Sequence, residues 1–125
     1  MNNVVDSSAW LEYFADGPNA AEFARPIEAA RSLIVPTLSI FEVFKRIAQQ
    51  RSDDEALRAV AVMEQGKVVD LDRATALAAA RLSIDHGIAL ADSVMLATAH
   101  RNGAILWTQE ADFEGLPGAR FFPRR

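Results

Sequence analysis

The sequence predicts an α/β protein of three layers, with helices covering both faces of a mostly parallel sheet of four to five strands. Three observations lead there. Short apolar runs alternate with amphipathic segments of helical period along the chain, in the order β-α-α-β-α-α-β-α-α-β-β. The strand-like runs are continuously apolar, as strands buried on both faces require. Half of the 125 residues are apolar, enough for one packed domain over residues 1–125. Right-handed crossovers would then bring the strand ends to a common edge.

The elements follow in order. Val4 and Val5 are β-branched, and the first strand stops abruptly at Asp6. Ser7 and Ser8 can cap a helix over residues 9–15, which Asp16-Gly17-Pro18 closes. Asn19 caps a second helix to about residue 30, with Ala20, Phe23, Ala24 and Ile27 on one face. Residues 32–35 form a buried strand stopped by Pro36. Thr37 or Ser39 then caps a helix whose apolar residues are Ile40, Phe41, Val43, Phe44 and Ile47. Asp53 and Asp54 open the next helix, through Leu57, Val60 and Ala61, and Gly66 ends it. A short strand over 68–71 leads to an alanine-rich helix that opens at Asp72 and breaks at Gly87. Residues 88–101 form the last helix, ended by Asn102-Gly103, and strands at 104–107 and 119–122 complete the chain.

Composition removes several classes of function. There is no cysteine, which excludes a disulfide framework or a thiolate metal site and suits the reducing cytoplasm. No apolar run approaches the roughly 18 residues of a membrane span, and the first strand leaves no room for a signal peptide. The net charge of −4 argues against coating nucleic acid by bulk electrostatics. A nuclease still fits, because acids gathered in one pocket are offset by bound cations.

Chemistry is carried by carboxylates. Asp6 ends the first strand, at the sheet edge where open α/β folds bind ligands. On its own it also reads as a strand-to-helix cap. Glu42 lies one turn into the helix after Pro36 and, taken alone, reads as a surface acid paired with Lys45 or Arg46. Asp92 is harder to explain structurally. Ile88, Ala89, Met95 and Leu96 surround it at helical spacing, and an unpaired charge on an apolar stripe is costly. The dipole of its helix returns typically only 0.3–1 kcal/mol. Glu110 and Asp112 follow the strand at 104–107, on a loop that Phe113 can anchor; a capping turn is the alternative for Asp112. Two full charges about 5 Å apart repel by roughly 3 kcal/mol at an effective dielectric near 20. All-oxygen ligand sets suit Mg²⁺ or Mn²⁺, and the chemistry implied is metal-dependent phosphodiester hydrolysis. No His, Cys or Ser nucleophile is needed.

Four motifs together carry a family resemblance: Val-Val-Asp-Ser-Ser at 4–8, Phe-Glu-Val at 41–43, Ala-Leu-Ala-Asp-Ser-Val-Met-Leu-Ala-Thr-Ala at 89–99, and Trp-Thr-Gln-Glu-Ala-Asp-Phe at 107–113. In this order, and over essentially the whole chain, they resemble PIN-domain ribonucleases, and most of all the VapC-type toxin of a VapBC toxin–antitoxin pair. The resemblance implies a PIN-like domain that cleaves structured RNA. It implies Asp6, Glu42 and Asp92 as catalytic acids and ligands of Mg²⁺ or Mn²⁺, with Asp112 as the fourth acid. Glu110 stands where many members carry Asp. Ser7, Ser93 and Thr108 fall where the family often has a small hydroxyl residue, and are carried over as supporting groups. The resemblance also implies a cognate antitoxin that blocks the acids with a basic side chain, and a homodimer.

Other residues read less specifically. Trp10, Phe14, Phe41, Phe44 and Ile47 serve either as core or as a groove for a partner helix. Lys45, Arg46, Arg51 and Arg58 make a basic stretch suited to RNA phosphates or to a solvated helix face. His86 and His100 read as surface or helix-end residues, and Arg120, Arg124 and Arg125 as a frayed tail, with contact to RNA the alternative. Two other functions share this outline. A receiver-type signalling domain needs paired acids after the first strand and a late lysine, but Ser7 follows Asp6 and no lysine follows Lys67. A non-catalytic PIN-like binding module has no use for the set of acids.

Overall fold

The computed structural model describes residues 1–125. Strands β1 (Asn2–Val5), β2 (Leu33–Pro36), β3 (Lys67–Val69), β4 (Ala104–Thr108) and β5 (Ala119–Phe121) form one sheet. Their order is β3-β2-β1-β4-β5, and every neighbouring pair is parallel. Around the sheet lie helices α1 (Ser7–Phe14), α2 (Ala20–Glu28), α3 (Thr37–Gln50), α4 (Asp53–Met63), α5 (Arg73–His86) and α6 (Leu90–Arg101). This is the expected three-layer architecture, with the sheet wholly parallel and five strands wide. No helix is long and apolar enough to cross a membrane.

Adjacent residues of each central strand feed opposite layers, since side chains alternate across a strand. Val5 packs with Trp10, Phe23, Val43 and Met63 on one face of the sheet, while Val4 packs with Met95, Leu96 and Phe113 on the other. Leu33 and Val35 join the first cluster and Ile34 the second; Trp107 and Leu106 divide likewise. Each fully buried side chain of this size contributes on the order of 1.5–3 kcal/mol, so the two cores fix the register of β1, β2 and β4. A parallel crossover ordinarily takes a dozen residues or more and a helix. Between β4 and β5 residues 109–118 suffice, with one turn of 3₁₀ helix at Ala111–Phe113 pinned by the fully buried Phe113.

Several helix starts differ from expectation. α1 begins at Ser7, so Asp6 occupies the N-cap position and both serines lie inside the first turn. α3 begins at Thr37, with Pro36 before it, and neither Thr37 nor Ser39 acts as a cap. Asn19 does precede α2, but its side chain makes no capping bond. α4 is capped by Ser52, whose hydroxyl accepts from the Glu55 amide at 3.1 Å, and it turns Ala56, Ala59 and Met63 inward and Leu57 outward. Asp72 caps α5 as anticipated, and Gly87 closes it in the left-handed region at φ 67°.

Gly66 is needed for close approach. A Cβ there would lie 2.9 Å from the Leu33 carbonyl oxygen and 2.9 Å from Val35 Cγ2. Gly66→Ala therefore pushes on the backbone of a central strand and is expected to cost about 1–3 kcal/mol in urea unfolding. An unchanged midpoint would show that the α4–β3 turn yields freely.

Candidate active site

The strand order creates the site. From β1 the chain steps outward through β2 to β3, and then crosses to β4 on the other side of β1. Between β1 and β4 the crossovers diverge, leaving a crevice at the carboxyl ends of these strands. Asp6 leaves β1 at that crevice and Glu110 follows β4. Glu42 reaches it from the second turn of α3, and Asp92 from the first turn of α6. Asp6, Glu42, Asp92 and Glu110 line one cleft of about 460 Å³, together with Ser7, Ser8, Lys45 and Arg46.

Asp6 is the deepest of the acids, 4% exposed. Its Oδ2 accepts two hydrogen bonds, from Ser8 Oγ at 2.8 Å and Thr108 Oγ1 at 3.0 Å. Its backbone N–H donates to the Trp107 carbonyl at 2.9 Å, tying the start of the site to β4. Burial nonetheless dominates, and pushes the carboxyl up to about 6 against the lowering effect of these bonds. Ser7 Oγ donates to Glu42 Oε1 at 2.7 Å, so the first turn of α1 orients the acid of α3. Asp92 is also pushed up to about 6, by burial and then by the charges of Asp6, Asp112, Glu110 and Glu42, with no hydrogen bond to offset them.

The residues singled out by sequence thus divide. Asp6, Glu42, Asp92 and Glu110 come together in the cleft, with Ser7 and Thr108 bonded directly to acids. Asp112 sits exposed on the 3₁₀ turn outside the cleft lining, yet close enough that its charge raises Asp92. Ser93 does not reach an acid: its hydroxyl donates to the Ala89 carbonyl at 2.6 Å and steadies the start of α6. Trp10 is core, Phe14 and Ile47 are half-buried against its cluster, Phe44 is half-buried, and Phe41 faces solvent. Arg124 is anchored rather than frayed, with its guanidinium donating to Glu110 Oε1. Arg120 lies over the Trp107 ring, 4.9 Å from its centroid.

Three supporting residues escape sequence reasoning. Ser8 shares Asp6 with Thr108; its place beside Ser7 was the available signal. Asn19 is fully buried, and its amide donates to Gln109 Oε1 at 3.1 Å and to the Pro123 carbonyl at 3.0 Å. Gln109 is 3% exposed and turns its own amide toward the Ser8 carbonyl at 3.4 Å. This pair ties the loop after β4 to α1, α2 and the C-terminal tail. No local pattern announces contacts across so much of the chain.

The donor set fits a hard divalent cation. Every ionisable group lining the cleft is a carboxylate or a cation, and the two most perturbed acids are raised by burial and by mutual repulsion, which a cation relieves. No three of the chain's acids and histidines stand together as a ready metal-holding group.

A sequence model of the family described as "PIN domain" matches residues 4–119. No curated protein sequence matches the chain. Among solved structures, a toxin–antitoxin complex from Klebsiella pneumoniae superposes with a TM-score of 0.81 at 19% identity, covering 98% of this chain and 99% of that one. VapBC2 from Rickettsia felis, bound to a DNA fragment from its promoter, gives 0.77 at 9% identity, with 98% of each chain covered. VapC20 from Mycobacterium tuberculosis, described as a Sarcin-Ricin loop cleaving toxin, gives 0.77 at 13%, covering 94% and 96%. At these identities the structures establish a shared fold.

Proposed function

The chain belongs to the PIN-domain family, and from that premise we propose that it is a metal-dependent endoribonuclease, the toxin of a type II toxin–antitoxin pair. One observation carries the reading: buried and half-buried acids from three separate elements, Asp6, Glu42 and Asp92, line a single cleft at the divergence of the crossovers. Asp6, Glu42 and Asp92 would hold Mg²⁺ or Mn²⁺, with Asp112 assisting from outside and Glu110 at the rim. When bound, such a cation neutralises charge on a phosphodiester and acidifies water at neutral pH.

The rest falls to the chain's own groups. Ser8 and Thr108 fix the Asp6 carboxylate, and Ser7 fixes that of Glu42, so the acids are oriented before substrate arrives. Lys45 and Arg46 stand on the same wall and would take the phosphates flanking the scissile one. In the hydrolysis a water oxygen bonds to phosphorus as the bond from phosphorus to the departing ribose oxygen breaks. The water gives up one proton, and the departing oxygen takes one.

Two partners belong to this reading. Beside the acids runs a groove of about 830 Å³, with apolar Leu11, Phe14, Ile47 and Val62 and cationic Arg46, Arg51, Arg58 and Arg124. Glu12 and Glu55 also line it, and it meets the acid cleft at Ser8, Leu11, Arg46 and Glu110, which suits an antitoxin segment that packs apolar side chains in the groove and reaches the acids with a basic one. Co-expression with its cognate antitoxin is expected to give a complex in which cleavage is blocked; free cleavage within that complex would exclude the groove. Exposed Leu77 and Ile84, one heptad apart on α5, with Leu90 beyond, support a homodimer. A monomer mass by light scattering would remove that element.

The test of the activity is cleavage of labelled cellular RNA by the purified protein with Mg²⁺, with Mn²⁺ and with EDTA, beside Asp92→Asn. Cutting is expected only with metal and is expected to fall at least about a hundredfold in the variant, the loss of a few kcal/mol of charge stabilisation. Equal cutting by wild type and variant would assign the activity to a contaminant and leave the acids without a catalytic role.

A further inference from the structure

We propose that Phe41 is a stacking platform for an unpaired nucleobase beside the phosphate that the acid cleft receives, so that the cleft selects single-stranded segments of its RNA. The substrate class rests on the nuclease reading above; the contact itself rests on the surface of α3.

Phe41 is 59% exposed, and it is the only aromatic among the large apolar side chains that face solvent. Its surroundings are polar. Of the residues lining the acid cleft, only Leu11 is apolar besides Phe41 itself. Lys45, one turn on, places its Nζ 5.7 Å from the ring centroid, and Arg46 and Gln49 continue the same wall. A protein-docking patch would call for contiguous apolar surface. None of the other large exposed apolar residues lines the acid cleft: Met1, Leu57 on α4, Val68 on β3, Leu71 after it, Leu77 and Ile84 on α5, and Leu90 at the start of α6.

The chemistry assembled there matches one nucleotide and its neighbour. An aromatic face takes any base by stacking. A lysine over the ring strengthens such a platform by cation–π attraction and also meets the adjoining phosphate. Gln49 can donate to and accept from a base edge. Bases in a duplex are already stacked and paired, so a solitary ring at the mouth of a cleft is open only to bases splayed out in loops, bulges or ends.

The experiment is binding of a single-stranded RNA oligonucleotide carrying 2-aminopurine, in EDTA so that nothing is cut, to wild type, Phe41→Ala and Phe41→Trp. The control is a blunt-ended, fully paired duplex of the same composition. Wild type and Phe41→Trp are expected to bind the single strand and quench its fluorescence. Phe41→Ala is expected to bind roughly ten- to a hundredfold more weakly, with duplex binding the same for all three proteins. Equal affinity and quenching by wild type and Phe41→Ala would overturn the platform, as would a wild type that binds no single strand. So would a Phe41→Ala protein of altered association state in sedimentation with RNA affinity intact, which would make Phe41 a contact between proteins. Cleavage is read separately. Stacking without any cutting sinks only the nuclease, and metal-dependent cutting indifferent to Phe41 in both binding and kcat/KM sinks only the platform.

Discussion

Asp6→Asn is expected to abolish RNA cleavage and, in metal-free protein at pH 7, to raise the melting temperature. The two effects share one cause. Asp6 is buried at the end of β1 with two hydroxyl donors and no cationic partner, and its carboxyl is pushed from 3.8 to about 6. At neutral pH it is ionised anyway. By linkage, that rise makes its ionisation an upper cost of about 3 kcal/mol to the fold. Asparagine keeps an oxygen for Ser8 and Thr108 and carries no charge, so a gain of about 1–3 kcal/mol is expected. That corresponds to a rise of several degrees in Tm for a domain of this size. Activity should fall about a thousandfold, since a ligand of the cation is lost along with several kcal/mol of charge stabilisation. Calorimetry and RNA cleavage on the same preparation check both halves. A variant that is inactive and less stable would mean that Asp6 is a structural cap.

The second large effect is in the coupling of pH, metal and stability. Because the folded-state carboxyls of Asp6 and Asp92 lie above the unfolded value, the native protein holds protons that the unfolded chain releases. The stability this confers is complete below about pH 4 and is lost as pH rises through about 6. In EDTA the contribution of these two acids is therefore expected to fall from pH 5 to pH 7, with Asp6 the larger contributor because Asp92 is partly solvated. Mg²⁺ or Mn²⁺ is expected to reverse the trend. A bound cation favours the ionised acids, and each tenfold excess over Kd adds about 1.4 kcal/mol. The thermal shift on adding metal should thus be larger at pH 7 than at pH 5, and smaller in Asp92→Asn. Thermal unfolding at the two pH values with and without metal decides it. No shift at metal concentrations that support cutting would separate the acids from cation binding.

The order and type of every strand and α-helix were legible in the sequence, though not the short 3₁₀ turn at Ala30–Ser32. The reason is local: Val4-Val5, Leu33 to Val35 and Leu106-Trp107 must be buried on both sides, while Asp72 and Gly87 mark helix ends through bonds to near neighbours. Of the carboxylates Asp92 alone stood out singly, because a charge among apolar residues needs a reason; Asp6 and Glu42 gained meaning only as members of a set. Less legible were boundaries and orientation. The first strand runs into α1 without a spacer, so the serines read as caps lie inside the helix, where they are free to hold Asp6 and Glu42. Phe41 and Phe44 are equivalent as letters in an amphipathic pattern, yet one faces solvent beside the acids and the other is half-buried.

The sequence by itself determined an α/β chain with acids at the ends of its strands, because hydrophobic period and turn chemistry act over a few residues. Only the tertiary structure decided which acids meet. Strand order β3-β2-β1-β4-β5 places the end of β1 against that of β4, bringing Asp6 beside Thr108 and Glu110 across more than a hundred residues. It also gave Ser93 to a backbone carbonyl and left Asp112 outside the cleft. Contacts of that range depend on how two cores close on either face of one sheet, and no local preference of the chain encodes them.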